Sequence, residues 1–267
     1  MPNNVATYEL SIVVPFYKNT DDVDILLESV SKFLGKVKNP VEVILINDSG
    51  DSSFINIIES YQFDVIVINL DKNIGVTGAR NIGYKKANSD LVLFLDSDDL
   101  LLPNSFSEMN SFTKSINADV YFFRCINVNG YLVGEPQDII VSSYSPNKMY
   151  GKGERIICIR KNKFLPFIEF LRGCENAGLL YFALKSKKIK FSWSPLPIRI
   201  YKSNENGLSS KINSVSRSFS IAIGHFLSSI FSIFFLEFSW SIRFLISSVY
   251  RFVLTIIFLS NKLFQLK

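Results

Sequence analysis

Leu93-Phe94-Leu95-Asp96-Ser97-Asp98-Asp99 is an apolar run that ends directly in a cluster of carboxylates. Its apolar part reads as the end of a short buried strand, Leu91–Leu95, since it carries no polar alternation and is too brief for a helix. Open α/β sheets place ligands beyond the carboxyl ends of their strands, which is where these acids fall. Asp96 and Asp98 are two positions apart, so in an extended chain their side chains point the same way. Two carboxylates on one side can hold a hard divalent cation and leave positions for diphosphate oxygens. An acidic turn that merely caps the next helix fits these few residues as well.

The same alternation of short apolar runs and amphipathic stretches fills the first 127 residues, which predicts βαβ units and a mostly parallel sheet. Strands are expected at Leu10–Val14, Val41–Ile46, Val65–Leu70 and Val120–Ile126. Helices are expected at Asp21–Leu34, Ser52–Tyr61, Thr77–Ala87 and from Pro103 to Ile116. Residues 128–153 are rich in Gly, Asn, Ser and Pro and read as an irregular insertion. Further on, Lys163–Leu171 and Glu175–Lys185 read as helices, and Ile189–Trp193 and Ile198–Tyr201 as strands.

Net charge is +5, but residues 1–149 carry −8, residues 150–202 carry +9 and residues 203–267 carry +4. An acidic first half fits a metal site, and the basic remainder fits a phosphate-rich or anionic-membrane partner. No aromatic-interleaved motif or recognition helix supports nucleic acid as that partner. Cys125, Cys158 and Cys174 are scattered without a CxxC or a histidine cluster, which argues against a disulfide scaffold or zinc site. From the polar opening of the chain, no signal peptide is expected.

Two further segments end strands with polar groups. In Ile46-Asn47-Asp48-Ser49-Gly50, Asp48 could accept hydrogen bonds from a base or ribose, or belong to a helix cap. In Asn73-Ile74-Gly75-Val76-Thr77-Gly78-Ala79-Arg80-Asn81-Ile82-Gly83, the glycines permit close backbone approach and Arg80 offers a fork for phosphate or base oxygens. Tight helix–strand packing would call for the same glycines.

Together with Ile12-Val13-Val14-Pro15-Phe16-Tyr17-Lys18-Asn19, these blocks resemble the family 2 glycosyltransferases with the GT-A fold. The Asn73–Gly83 and Asp96–Asp99 blocks match the family pattern in full, whereas Asn47 replaces the first acid of its Val-Asp-Asp-Gly-Ser segment. The resemblance is close over residues 9–125, looser to 207 and absent beyond. It implies that Pro15, Tyr17 and Asp48 line a nucleotide pocket, that Arg80 helps hold the nucleotide, and that Asp96 and Asp98 coordinate Mn²⁺ or Mg²⁺ with the diphosphate. It also implies a nucleoside-diphosphate sugar as donor, with UDP expected, and inversion at the anomeric carbon. An inverting reaction needs a base for the acceptor hydroxyl, and the family draws it from a Glu-Asp pair at a helix start. Glu175, in Cys174-Glu175-Asn176, is the candidate here and the only acid between Glu169 and Glu205. Aligning Asn176 with the family's acid instead would leave no base at that place. Arg199 and Lys202 match a segment that can close over the donor diphosphate, although surface solvation explains them equally.

Residues 214–260 differ in kind, reading as long apolar helix with one narrow polar stripe of His225, Ser229, Ser232, Ser239, Arg243, Ser247 and Tyr250. Such a helix suits a bilayer interface, with Arg243, Arg251 and Lys262 reaching headgroups. Its rivals are a hairpin packed on the catalytic domain, packing on a second subunit in a homo-oligomer, and a true span. The expected architecture is therefore a GT-A-like (Rossmann-like) α/β domain over residues 1–210, with a nucleotide-binding half to 127 and an acceptor half after it. A membrane-associating helical extension follows over 211–267. A lipid-linked or glycan acceptor at the cytoplasmic face of a membrane, in surface-polysaccharide synthesis, fits both the extension and the family. A non-catalytic nucleotide-sugar-binding subunit is the alternative. A nucleotidyltransferase would want a basic Gly-rich loop after the first strand, which residues 15–24 lack.

Overall fold

The computed structural model describes residues 8–18, 21–36, 41–50, 61–134, 140–142, 147, 153–171, 174–187, 189–202 and 215–264. The expected helix over Ser52–Tyr61 lies almost wholly outside them, as does most of the 128–153 insertion.

The first strands are β1 (Leu10–Phe16), β2 (Val41–Asn47), β3 (Asp64–Asn69) and β4 (Leu91–Phe94), with α1 (Asp21–Leu34) and α2 (Val76–Lys86) between them. All four run parallel, in the order β3-β2-β1-β4. β1 and β2 are buried along their whole length, as their mostly apolar sequences require when helices cover both faces of a sheet, and buried Glu42 is hydrogen-bonded by Ser11 and Asn88. Next come β5 (Leu100–Leu101), α3 (Phe106–Ser115), β6 (Val120–Asn127), β7 (Ile140–Ser142) and β8 (Arg155–Arg160). The elements α4 (Glu175–Ser186) and β9 (Phe191–Tyr201) complete the domain. β8 inserts antiparallel between β4 and β6, and β6 pairs parallel with β9.

Alternation along the strands divides the core. Ile12, Val14 and Leu93 pack with Val23, Leu26 and Leu27 of α1 and with Phe106 and Met109 of α3. Val13, Ile44 and Phe94 point the other way, onto Ala79 and Tyr84 of α2 and Leu179 and Phe182 of α4. Gly83 is where α2 meets the sheet: a Cβ there would lie 2.3 Å from Val13 Cγ1.

Three expectations are corrected. Lys163–Leu171 is irregular, not helical. It is wedged between α2 and α4, where Asn81 binds the backbone of Phe167 through both ends of its amide and the Gly178 position abuts Pro166–Ile168 backbone. The two expected strands at 189–201 are one strand, β9, with irregular register against β6 near Arg124. The C-terminal stretch is a hairpin, not one long helix. α5 (Val215–Phe234) and α6 (Phe238–Phe264) are separated at Leu236, whose φ of 57° reverses the chain.

The turn breaks the polar stripe. His225, Ser229 and Ser232 of α5 are buried, whereas Ser239, Arg243 and Tyr250 of α6 are exposed. The seam between the helices is instead lined by small and hydroxyl-bearing residues. Ser229 and Ser241 hydroxyls lie 3.1 Å apart, and the Ser248 hydroxyl donates to the Ala222 carbonyl at 2.9 Å. The outward face carries Ile242, Ile246, Val249, Val253 and Ile256. Both helices are long and apolar enough to cross a membrane by length and composition.

Candidate active site

The carboxyl ends of β1, β2 and β4 open side by side, and each acid there has a separate task. Asp48 is buried, and its carboxylate accepts from the backbone N–H groups of Ile74 (2.7 Å) and Gly75 (2.9 Å) and from the Asn73 amide (2.9 Å). It thereby holds the turn into α2, where Gly75 has a φ of 83° that suits glycine. The nucleotide-lining role expected of Asp48 falls to a carboxylate already engaged with its own loop. Asn47 binds Asn69 and Ser49 rather than facing outward. Pro15 is buried within β1, while Tyr17, just past its end, is 51% exposed, with the Lys18 ammonium 5.3 Å from its ring centre.

The acids after β4 divide in the same way. Asp99 is buried against Arg199, with a 2.9 Å ion pair, and accepts from the Lys202 backbone N–H at 3.3 Å. Arg199 also reaches Glu154 and the Cys125 sulfur, so it is an internal anchor and not a residue that closes over a diphosphate. Lys202 is half-buried beside this anchor. Burial, reinforced by the charges of Asp96 and Asp98 and opposed by Arg199, pushes the Asp99 carboxyl up to about 7. Asp98 remains partly exposed, and burial with the charge of Asp96 raises its carboxyl too. A divalent cation would relieve that repulsion. Among the described residues no three acid, histidine or cysteine side chains converge into a metal cage, so an ion held by Asp96 and Asp98 would be completed by ligand oxygens and water.

Arg80 joins these acids to the other side of the mouth. Its side chain is buried, donates through Nη2 to Asp96 Oδ1 at 2.5 Å and through Nη1 to Glu175 Oε1, and lies over the Phe167 ring at 5.5 Å. The expected nucleotide-holding arginine is thus a bridge between two carboxylates. Burial pushes the Asp96 carboxyl up, but the charges of Arg80 and Arg199 and the Arg80 hydrogen bond outweigh it and leave the group below its ordinary range. Glu175 opens α4, where the helix dipole favours a carboxylate. Asn176 turns away and donates through Nδ2 to the Asn147 side-chain oxygen Oδ1 at 3.2 Å. The structure therefore brings Asp96, Arg80 and Glu175 together and keeps Asn176 apart from them.

Much of the basic middle segment is used internally. Arg160 reaches the Ala118 carbonyl and Tyr121 hydroxyl, and Lys161 reaches the carbonyls of Lys85 and Ala87. Sequence reasoning assigned no task to Phe167, Asn147 or Asp99. Only Asp99 had a signal, as the last acid of its block.

The layout is that of a GT-A-type sheet with its ligand mouth at the strand ends. A family model described as glycosyl transferase family 2 matches residues 11–186, and the chain belongs to that family. An uncharacterized glycosyltransferase of Haemophilus influenzae is 31% identical over 164 residues, 58% of this chain and 54% of that protein. The poly(ribitol-phosphate) beta-N-acetylglucosaminyltransferase TarS of Staphylococcus aureus is 28% identical over 185 residues, 63% of this chain and 31% of that protein. Among solved structures, residues 1–349 of S. aureus TarS in complex with UDP-GlcNAc superpose with a TM-score of 0.64 at 20% identity, covering 82% of this chain and 66% of that one. The matches thus span from about a third to about half of these curated relatives' length.

Proposed function

We propose that the protein transfers a sugar, with inversion, from a UDP-sugar to a lipid-linked or glycan acceptor at a membrane surface. The observation that carries this reading is the Arg80 bridge, which sets Glu175 beside Asp96 at the mouth of the sheet. Tyr17 presents its ring to the base, and the loop held by Asp48 forms the neighbouring wall. Asp96 and Asp98 would hold Mn²⁺ or Mg²⁺, which when bound neutralises charge on the departing nucleoside diphosphate. Glu175 accepts the proton from the acceptor hydroxyl as its oxygen attacks the anomeric carbon, and the positive Arg80 keeps that carboxylate fixed in place. The TarS complex with UDP-GlcNAc supports a UDP-sugar as donor, and the poly(ribitol-phosphate) transferases among the relatives support an acceptor in surface-polymer synthesis.

The membrane reading rests on the inverted pattern of the hairpin. In water, a helical hairpin buries its apolar residues and exposes its serines. Here serines line the seam while Ile, Val, Leu and Phe face outward, the arrangement that suits helices surrounded by lipid. We place the protein on the cytoplasmic face as a monotopic enzyme, with Arg243 and Arg251 toward headgroups.

A panel of nucleotide sugars with Mn²⁺, assayed for nucleotide release, tests the assignment. Release from one UDP-sugar is expected. Binding without release would favour a non-catalytic nucleotide-sugar-binding subunit, and no nucleotide binding at all would overturn the proposal.

A further inference from the structure

Helix α4 begins at Cys174, whose thiol is a weak capping group compared with a serine or aspartate. The start of a helix leaves several N–H groups unpaired, so its placement here depends on what packs around it. What packs there is the C-terminal hairpin. Gly224 of α5 sits against Cys174 so closely that an added Cβ would lie 2.4 Å from the Cys174 Cβ. Ile223 and Leu227 pack with Leu171, Cys174 and Ala177 in a small separate core. On the other side of Glu175, the Asn176 amide donates to Asn147. Asn147 is fully buried, and its own amide nitrogen donates to the Ser232 hydroxyl at 2.9 Å and to Glu237 Oε2 at 2.6 Å. Both chain neighbours of Glu175 are therefore fastened to the hairpin, one by close packing and one through Asn147.

The fastening point is the hairpin's turn. Ser232 and Glu237 flank Phe234 and Leu236, and the turn is closed by the Glu237 N–H donating to the Ser232 carbonyl at 3.0 Å. Phe234, Leu236 and Phe238 are 69%, 78% and 58% exposed. The most outward apolar residues of this turn thus belong to the segment that holds Asn147, which in turn holds the residue after Glu175.

We infer that Asn147, Ser232 and Glu237 are positioning residues that act through Glu175, so that the lipid-facing hairpin sets the acceptor-activating end of the active site. The inference rests on the reading of Glu175 as the proton acceptor and adds to it what controls that residue's place. A displacement of about 1 Å can cost about 100-fold in rate, so loosening one hydrogen bond of this relay is expected to cost about 10-fold.

The test uses the full chain with Asn147→Ala, Ser232→Ala and Glu237→Ala, each also combined with Glu175→Gln. Nucleotide release is followed with the sugar nucleotide turned over fastest in the panel, and backbone amide exchange is measured by mass spectrometry. The expected result is a fall of about 10-fold in kcat with UDP affinity unchanged, and faster exchange confined to residues 174–180. In the Glu175→Gln background the relay variants should cause no further loss. Should Asn147→Ala fail to fold, Ser232→Ala and Glu237→Ala decide the matter, since each removes one acceptor and leaves the buried amide the other on the hairpin. Natural exchange at 174–180 with natural kcat in those variants would overturn the inference, as would equal further losses in the Glu175→Gln background. If Glu175→Gln itself turned over at the natural rate, the base assignment would fail, while exchange at 174–180 would still report whether the hairpin holds α4.

Discussion

Arg80 and Glu175 stand 95 positions apart in the chain and meet in a direct ion pair at the mouth of the sheet, with the other arm of the guanidinium on Asp96. The pair links the acids after β4 to the helix that starts with Glu175. Lysine has one ammonium in place of the planar fork and cannot hold both carboxylates in the same geometry. Arg80→Lys is expected to fold and to lose about 10- to 100-fold in nucleotide release, measured at saturating donor alongside the melting temperature.

Asp48 and Tyr17 should separate cleanly. In Asp48→Asn, one oxygen that accepts from Ile74 or Gly75 becomes an amide, which leaves a backbone N–H unsatisfied. Urea unfolding should show a loss of about 1–3 kcal/mol. Tyr17 is half exposed and its ring meets the exposed Lys18 ammonium, so Tyr17→Ala should change stability by less than about 1 kcal/mol and weaken UDP binding by about 1–3 kcal/mol, the worth of an aromatic stacked on a base. UDP titration calorimetry checks the second effect.

Arg199 is argued to be an anchor, and its variant should behave as one. Arg199→Met leaves buried Asp99 without its guanidinium, and its carboxyl, pushed up to about 7 even beside Arg199, then takes up a proton near neutral pH; the unpaired polar group is expected to cost about 1–3 kcal/mol in unfolding free energy. Adding Asp99→Asn should recover part of that loss. A closure residue would instead show natural stability and weaker donor binding.

The parallel half of the fold was legible because its strands are short, mostly apolar runs, two of them followed by acids as in Ile46–Asp48 and Leu93–Asp96, and because α1 repeats its apolar residues at helical spacing. The Gly-rich block was legible as a motif but not in its roles. Gly83 serves packing against Val13, Asn73 binds the Asp48 carboxylate, and Arg80 is the side chain that bridges Asp96 and Glu175. Segment 163–171 looked helical because its apolar spacing fits a helix face, whereas those residues fill the gap between α2 and α4. The strand β8 is only six residues long and owes its place to partners far along the chain. Periodicity likewise showed a polar stripe at 225–250, but the reversal at Leu236 rests on a single positive φ.

The outward face of the hairpin carries its own prediction. The natural chain should float with liposomes containing anionic lipid. Ile246→Asp with Val253→Asp, on the exposed face of α6, should leave it in the dense fraction with UDP binding intact. A natural chain that does not float, but doubles its mass in light scattering, would assign the face to a second copy.

The most direct measurement is the rate of sugar transfer by Glu175→Gln against its affinity for UDP. General-base catalysis is typically worth about 10²- to 10⁴-fold, so kcat should fall by at least about 100-fold while UDP binds as in the natural protein. Transfer at the natural rate by Glu175→Gln would contradict the account, because the group that Arg80 holds beside Asp96 would then play no part in activating the acceptor.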